Sequence, residues 1–326
     1  MSTSLFQIAN SNYFGSGSIG FGTVVSKFGR VAGRSGVTIE PNTDIANIYL
    51  TARYATMSLY NPSLVVIPSA ISSSTLFSLY ASSGSAGDFT VTNNGSGSFV
   101  NRFGYIETGS SSRVNLARLD YYSGSATAAL YPSLLIEPAA TNLFFSSSNI
   151  LGNAWSRDLV TSSSNTIDPS NTTTAVHFIP TSSGVHFVCS QSFTVGTAGT
   201  QSFSVFVRPS GSNFIQLALS NSFANFQLTG TGSVVGGANT SSVSISPYAN
   251  SFYRCVLTPN FTSSAGSHQA AIYLITSSGA TFAQSWDAPG VGSGSAIWGP
   301  QVESGIFPTS YIPTTTAAVT RNAEVV

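Results

Sequence analysis

Charge is the first property that this sequence has little of. Charged residues make up 7% of the 326 residues, and eleven basic residues balance eleven acidic ones, which leaves no net charge. Proteins that bind nucleic acid need a dense basic face, but here Lys27 is the only lysine and the arginines are scattered singly. The composition therefore excludes DNA and RNA as partners, and the low net charge favours association between copies of the chain.

Cysteine and long apolar runs are scarce too. The two cysteines, Cys189 and Cys255, are too few for a disulfide framework, and each lies in a strand-like run. We expect buried free thiols, with a single bridge between adjacent strands as the alternative. No apolar stretch of the sequence is long enough to span a membrane. The first residues, MSTSLFQIANSNYFG, have neither a basic start nor a long apolar run. The sequence thus predicts neither membrane insertion nor a secretory leader.

A helical pattern is also missing. β-branched residues, serine and glycine crowd every window, and no long stretch has the helical period. Short apolar runs separated by Gly, Ser, Asn and Pro clusters indicate an all-β fold with an antiparallel sandwich. The clearest predicted strands are Gln201–Pro209, Asn213–Ser220, Ser242–Pro247, Phe252–Thr258 and His268–Ile275. The run VHFIPTSSGVHF, Val176–Phe187, predicts a hairpin.

The chain divides into three predicted regions. Residues 1–62 are rich in glycine and form a candidate attachment module. Residues 63–140, here called the connecting region, contain strand fragments joined by runs such as NNGSGS, too broken for a large core. Residues 141–326 have the regular strand pattern of the sandwich and end in an extended tail.

The final run, IWGPQVESGIFPTSYIPTTTAAVTR, predicts the closing strand of the sandwich followed by that tail. One face of the strand is predicted to carry Ile297, Gly299, Gln301 and Glu303, and the other Trp298, Pro300 and Val302. Pro308 and Pro313 hold the following chain extended, and the β-branched threonines after them stiffen it. We expect this tail to pack against the connecting region or a neighbouring subunit.

Several segments occur in an order that is similar to a known group of proteins. They are LVVIPSAISSSTLFSLYASSGSAGDFTVT, GYIETGSSSRVNLARLDY, YPSLLIEPAATNLFFSS, GNAWS, SFSVFVRPSGS, FYRCVLT, IWGPQVESGIFPTSYIPTT and AVTRNAE. This succession, from about Leu64 to Glu324, resembles bacteriophage virion proteins of the tail-fibre or head-fibre type. The signature positions are Glu137, Pro138, Thr141 and Asn142, then Trp298, Gly299, Gln301, Glu303, Pro308, Thr309, Ser310, Tyr311, Ile312 and Pro313, and finally Arg321.

The resemblance implies an irregular strand-rich N-terminal region followed by a jelly-roll domain of the lectin or carbohydrate-binding type. It also implies a non-enzymatic homotrimer located in the virion, joined through its N-terminal region to capsid, baseplate or tail proteins, and a host-surface glycan as a further partner. Residues 1–62 match nothing in that group. Two alternatives stay open: a capsid decoration or cement protein without receptor binding, and a polysaccharide depolymerase.

Aromatic residues are the most plausible glycan-binding groups, because apolar sugar faces stack on aromatic rings. Trp286, beside Asp287 in the loop TFAQSWDAPG, is the first candidate. Phe214, Phe223 and Phe226 are weaker ones. The structural alternative is that Trp286 covers a sandwich edge, while Trp155 and Trp298 are core residues.

Catalytic and cofactor sites are not predicted. The run GSGSIG at Gly15–Gly20 fits a dinucleotide-binding motif literally, but no helix follows it. A glycosidase needs two carboxylates on either side of a sugar linkage, and no pair stands out. A Ca²⁺ site is the minor alternative, with candidate ligands Ser163, Asn165, Asp158, Asp168 and Asp287.

Two further pairs have a predicted structural role. His177 and His186 would face each other if the predicted hairpin forms, although ordinary strand histidines are favoured over a metal site. Glu137 and Arg321 are expected to form buried or interfacial salt bridges that fix the register between connecting region, sandwich and tail.

Overall fold

The computed structural model describes residues 64–72, 75–81, 89–109, 113–185, 187–285 and 294–325. These residues form antiparallel β-sheets with almost no helix, which confirms the prediction of an all-β fold. No helix in this described part is long and apolar enough to cross a membrane. The predicted attachment module, the GSGSIG run, His186, Trp286 and Asp287 lie outside the described residues.

The connecting region consists of short strands. Their bounds are β1 Leu64–Ser72, β2 Thr75–Ala81, β3 Phe89–Thr90, β4 Phe99–Val100, β5 Ile106–Glu107, β6 Arg118–Tyr122, β7 Ala128–Leu135 and β8 Ala140–Asn142. Strands β1 to β3 form one small sheet, while β4 pairs with β5 and β6 pairs with β7.

The sandwich follows. Its strands are β9 Ser156–Asp158, β10 Val160–Thr166, β11 Ala175–Pro180, β12 Phe187–Val195, β13 Gln201–Ser210, β14 Phe214–Leu219, β15 Ser222–Gln227, β16 Ser233–Ala238, β17 Thr240–Tyr248, β18 Phe252–Pro259, β19 Gly266–Leu274 and β20 Gly294–Ser304. The tail adds β21 Val319–Arg321, which pairs with β8.

Two six-stranded antiparallel sheets form the sandwich. The first sheet has the order β10-β11-β20-β13-β18-β17, and the second has the order β16-β15-β14-β19-β12-β9. The central strands of the first sheet are β11, β20, β13 and β18, and those of the second are β12, β19, β14 and β15. Several consecutive strands of the chain therefore lie in different sheets, as β11, β12 and β13 do.

The main core lies between the two sheets. Phe203, Val205 and Val207 of β13 and Ile215 and Leu217 of β14 are all 0% exposed. They occupy every second position because successive side chains of a strand point to opposite faces. Burying such side chains contributes roughly 25 cal/mol per Å² of apolar surface, which makes this layer the main source of stability.

The predicted hairpin over Val176–Phe187 is wrong. Strand β11 pairs with β10 and β20 in the first sheet, whereas β12 pairs with β19 and β9 in the second. The chain therefore crosses from one sheet to the other at this turn. Both strands direct side chains into the same core, Val176 and Phe178 from one side and Phe193 from the other. Consequently His177 of β11 does not lie opposite the start of β12.

The closing strand, β20, is central in the first sheet and interrupted by a bulge. Ser204 and Phe206 of β13 are two positions apart, but their partners, Gln301 and Trp298, are three apart. Gly299 lies in this bulge at φ 59°. The predicted alternation is therefore wrong across the bulge, because the extra residue reverses which side chains face the core.

The bulge therefore changes which residues of β20 face the main core. Ile297 and Val302 both enter the main core, although the simple alternation separates them. Trp298 instead joins a second, smaller core with Tyr311 of the tail and with Val100 and Phe206. This second core lies on the outer face of the first sheet, where the connecting region and the tail pack against the sandwich.

Candidate functional site

An ionic junction of Arg118, Glu137, Arg321 and Glu324 joins the connecting region to the tail. Arg118 Nη2 and Arg321 Nη1 donate to the same oxygen of Glu137, Oε2, at 2.7 and 2.5 Å. Arg118 also forms an ion pair with Glu324, and its Nε donates to Glu324 Oε1 at 2.7 Å. The ion pair expected of Glu137 and Arg321 is present, and Arg118 and Glu324 extend it in a way that no sequence pattern indicated.

The electrostatics of Glu137 explain why it stays ionised. Burial alone would raise its pKa, but the charges of Arg321 and Arg118 and the bond from the Ser310 hydroxyl together lower the pKa below its usual value. The Ser310 N–H and hydroxyl donate to the two oxygens of this carboxylate at 2.7 Å each. Both oxygens therefore accept internal hydrogen bonds, which hold Glu137 as a fixed anion.

Three other signature residues, Asn142, Trp298 and Tyr311, are buried and bonded within the fold. Asn142 Nδ2 donates to the Ile312 carbonyl at 2.9 Å, and Trp298 Nε1 donates to Thr174 Oγ1 at 2.9 Å. The Tyr311 hydroxyl lies 3.0 Å from Ser147 Oγ. Trp298 and Trp155 are 6% and 3% exposed, as the structural alternative predicted. These residues hold the tail on the sandwich and present no surface to a ligand.

A cavity of about 150 Å³ lies between the connecting region, the first sheet and the tail. Its lining includes Asp120, Glu137, Arg254 and the rings of Tyr122 and Tyr248, which stack with centroids 4.5 Å apart. Burial raises the pKa of Asp120, although the Val100 N–H donates to its Oδ1 at 2.7 Å. Asp120 and Glu137 share the cavity, but only Asp120 has a carboxylate that the arginines do not occupy.

Asp168, one of the candidate Ca²⁺ ligands, caps a turn. Its two oxygens accept bonds from the backbone N–H and the hydroxyl of each of Ser170, Thr172 and Thr174, at 2.5 to 3.2 Å. Burial would raise the pKa of Asp168, but these donors lower it. Asp158 is exposed on β9, and the described residues contain no group of three or more His, Cys, Asp or Glu side chains that could hold a metal.

His177 and Cys255 also have defined surroundings. His177 Nδ1 lies 3.2 Å from Ser163 Oγ on the neighbouring strand β10, and burial lowers the pKa of the imidazole. Cys255 is a buried free cysteine on β18. Because β12 and β18 lie in different sheets, the alternative of a bridge between adjacent strands is wrong for Cys189 and Cys255.

An aromatic cluster lies on the outer face of the second sheet. Phe282, in the loop after β19, has its ring centroid 5.7 Å from that of Phe223 and 6.1 Å from that of Tyr273. Phe282 is 44% exposed. The loop is fixed to the sheet by Gln216, whose Nε2 donates to the Thr281 carbonyl at 3.0 Å and whose Oε1 accepts from the Ala283 N–H at 2.9 Å.

One of the weaker glycan-binding candidates, Phe223, belongs to this cluster. Phe223 and Phe214 alternate with core residues and therefore face outward, whereas Phe226 is 0% exposed in the main core. Phe226 is thus wrong as a candidate, because Phe223 and Phe226 are three positions apart on one strand and point to opposite faces. Phe282 and Tyr273 were missed, although Phe282 lies four positions before Trp286 in the sequence.

No family model matches the chain, and a search of curated proteins finds no significant match.

Proposed function

We propose that this chain is a non-enzymatic bacteriophage virion protein, a tail-fibre or head-fibre type subunit whose β-sandwich binds glycan on the outer face of its second sheet. The observation that carries glycan binding is the cluster of Phe223, Tyr273 and Phe282. Aromatic faces stack on the apolar faces of sugars, and Trp286 and Asp287 follow Phe282 by four and five positions in the sequence.

The surroundings of the charged residues support the non-enzymatic part of the proposal. Glu137, Glu324 and Asp168 are bonded to arginines or to turn donors, as described above. A glycosidase needs two carboxylates that are free to act on opposite sides of a linkage. These internal ion pairs and hydrogen bonds instead favour a rigid protein that presents a fixed surface.

Assembly is the second part of the proposal. A subunit that associates into a homotrimer would bring several weak sugar sites together, and linked sites raise the effective concentration. The N-terminal region, residues 1–62, is the proposed anchor to capsid, baseplate or tail proteins. Imaging intact particles with a label on this chain tests the location: label on the tail or on projecting head fibres is expected, and label flush with the capsid shell would favour the decoration protein instead.

Glycan binding is tested with the full chain on an array of bacterial surface glycans. We expect the chain to bind at least one glycan of the array. The substitutions Phe282→Ala and Trp286→Ala should each weaken that binding about tenfold, the equivalent of ~1.4 kcal/mol. Phe103→Ala is the matched control, since Phe103 is an exposed phenylalanine of the connecting region, 66% exposed. An array without any retained glycan, or equal losses in all three variants, would contradict the proposed site. Release of reducing ends from host polysaccharide would make the protein a depolymerase.

A further inference from the structure

Thr309, Gln301 and Glu303 meet where the tail turns back over β20. Thr309 Oγ1 donates to Glu303 Oε1 at 2.5 Å, and Gln301 Nε2 donates to the other oxygen, Oε2, at 2.7 Å. A hydroxyl and a carboxamide therefore lie side by side on the two oxygens of one carboxylate. Gln301 and Glu303 are 0% and 1% exposed, so the carboxamide and the carboxylate are shielded from water, while Thr309 is half-buried.

The carbonyl of the Gln301 carboxamide is polarised from its other side. The Ile312 N–H donates to Gln301 Oε1 at 2.6 Å. A backbone N–H aimed at a carbonyl oxygen stabilises the negative charge that develops there when a nucleophile attacks the carbon. The same amide is held in place by its Nε2, which lies 3.3 Å from the Ser310 carbonyl.

Glu303 is suited to move a proton between the two neighbours. Burial raises the pKa of its carboxyl group, although the bonds from Thr309 and the charge of Arg254 act in the opposite direction. A carboxyl group with a raised pKa is a better proton acceptor than an ordinary surface carboxylate, and it returns the proton readily as an acid. Arg254 stays close by, because its Nη2 donates to the Thr309 carbonyl at 2.7 Å.

We propose that Thr309 and Gln301 react to form an internal ester cross-link between the tail and β20, with Glu303 as the proton carrier. Thr309 Oγ1 attacks Gln301 Cδ while its proton passes to Glu303 Oε1. A C–O bond forms, and the carbonyl oxygen becomes an oxyanion held by the Ile312 N–H. Glu303 then delivers the proton to Nε2, the C–N bond breaks, and ammonia leaves. The carboxylate is regenerated, and no oxidant, reductant or second substrate is consumed.

The fold supplies the conditions for this reaction. Holding a nucleophile beside its target replaces an encounter in solution by an intramolecular step, which gives large effective molarities. Ammonia is small enough to diffuse away and is then protonated in bulk water, which removes it from the equilibrium. The burial of the Gln301 side chain afterwards limits the access of water to the ester carbonyl. The cross-link would fix the tail to the sandwich at a point separate from the ionic junction, and it does not depend on glycan binding.

The mass of the purified full chain is the direct test. We expect the intact protein, denatured before measurement, to be lighter than its sequence by the mass of one ammonia molecule. Simple hydrolysis of Gln301 would make it slightly heavier instead, since water replaces the amide nitrogen. An intact mass equal to that of the unmodified sequence, also after prolonged incubation at neutral pH, would overturn the proposal.

Peptide mapping locates the loss of ammonia. A protease that cuts after glutamate separates Gln301 from Thr309, because Glu303 lies between them. The two flanking peptides are expected to remain joined and to come apart on treatment with hydroxylamine, which cleaves esters. Ammonia lost at an asparagine elsewhere in the chain would leave the two peptides separate, and that result would also overturn the proposal.

Variants separate the chemistry from the packing. Thr309→Val removes the nucleophile at nearly constant shape, and Gln301→Glu removes the leaving group, so each is expected to abolish the cross-link. Thr309→Ser retains the hydroxyl and is expected to restore it. Thr314→Val is the matched control, because Thr314 is a second threonine of the tail with a bonded hydroxyl, whose Oγ1 accepts from the Ser147 N–H at 2.9 Å. A joined peptide pair in Thr309→Val would contradict the assignment of the nucleophile.

Discussion

Arg321 and Glu137 form an ion pair across 184 positions of the sequence, with Arg321 Nη1 2.5 Å from Glu137 Oε2. Arg321 ends β21 in the tail, and Glu137 lies just before β8, the strand with which β21 pairs. The guanidinium group also donates to the Pro138 carbonyl at 2.6 Å. One buried side chain therefore fastens the end of the chain to the connecting region.

Replacing this arginine tests how much the junction stabilises the fold. Arg321→Met keeps most of the side-chain volume but leaves a buried carboxylate with one fewer cation. Removing one partner of a buried pair costs about 3–5 kcal/mol, and the lower end is expected because Arg118 stays with Glu137. Urea unfolding of the variant and the parent protein measures the difference.

A matched control is the exposed pair of Arg113 and Glu107, whose side chains are 33% and 41% exposed. Arg113→Met is expected to change the free energy of unfolding by less than about 1 kcal/mol, because solvent screens a surface pair. Equal changes in the free energy of unfolding for the two arginine substitutions would show that the buried junction stabilises the fold no more than a surface ion pair.

The acid dependence of stability follows from the carboxyl groups with lowered pKa. Glu137 and Asp168 both have a lower pKa in the folded protein than in the unfolded chain. The unfolded chain therefore binds their protons more readily, and their contribution is complete near neutral pH and lost as the pH falls below about 4. In urea titrations at stepped pH, the loss should be smaller in Glu137→Gln. An identical pH profile of variant and parent would contradict this role.

Two other carboxyl groups act in the opposite sense. Burial raises the pKa of Asp120 and Glu303 in the folded protein above the pKa that these groups have in the unfolded chain. The folded protein therefore binds their protons more readily, and this binding stabilises the fold as the pH falls from the higher pKa to the lower one. The free energy of unfolding should therefore hold or rise in mild acid before it falls. Asp120→Asn is expected to diminish that gain, and an unchanged mild-acid profile would contradict the prediction.

The bulge in β20 predicts a sharp effect of one methyl group. Gly299 has φ 59°, and a Cβ at that position would lie 3.2 Å from a carbon of the Tyr311 ring and 3.4 Å from one of Phe206. Gly299→Ala is expected to lower the free energy of unfolding by about 1–3 kcal/mol, because it adds left-handed backbone strain to crowding. Gly196→Ala is the control, since a Cβ there meets nothing within 4 Å. Similar denaturation midpoints for both variants would contradict the account.

Cys255 should be unreactive in the folded protein. The thiol is fully buried, and burial raises its pKa well above the usual value, so little of the reactive thiolate forms. Alkylation followed by peptide mapping is expected to label Cys255 only after denaturation. Rapid labelling of this residue in the native protein would show that β18 opens readily.

The individual strands of the sandwich were largely predictable. The expected strand Gln201–Pro209 corresponds to β13, and His268–Ile275 overlaps β19 at Gly266–Leu274. Alternation of apolar and polar residues is a local property, so it survives in the sequence. The same reasoning failed at Val176–Phe187, since a turn signal shows that the chain reverses and says nothing about whether the two flanking strands pair.

The sequence by itself determined the all-β class, the positions of most sandwich strands and the low surface charge, because composition and two-residue periodicity act within a few neighbouring residues. Only the tertiary structure decided that Arg118 and Glu324 join Glu137 and Arg321, that Phe282 lies on Tyr273, and that Thr309 meets Gln301. These contacts join strands and loops that are separate along the chain. They depend on which sheet each strand enters and on the bulge at Gly299, which changes which side chains in the rest of β20 face the core.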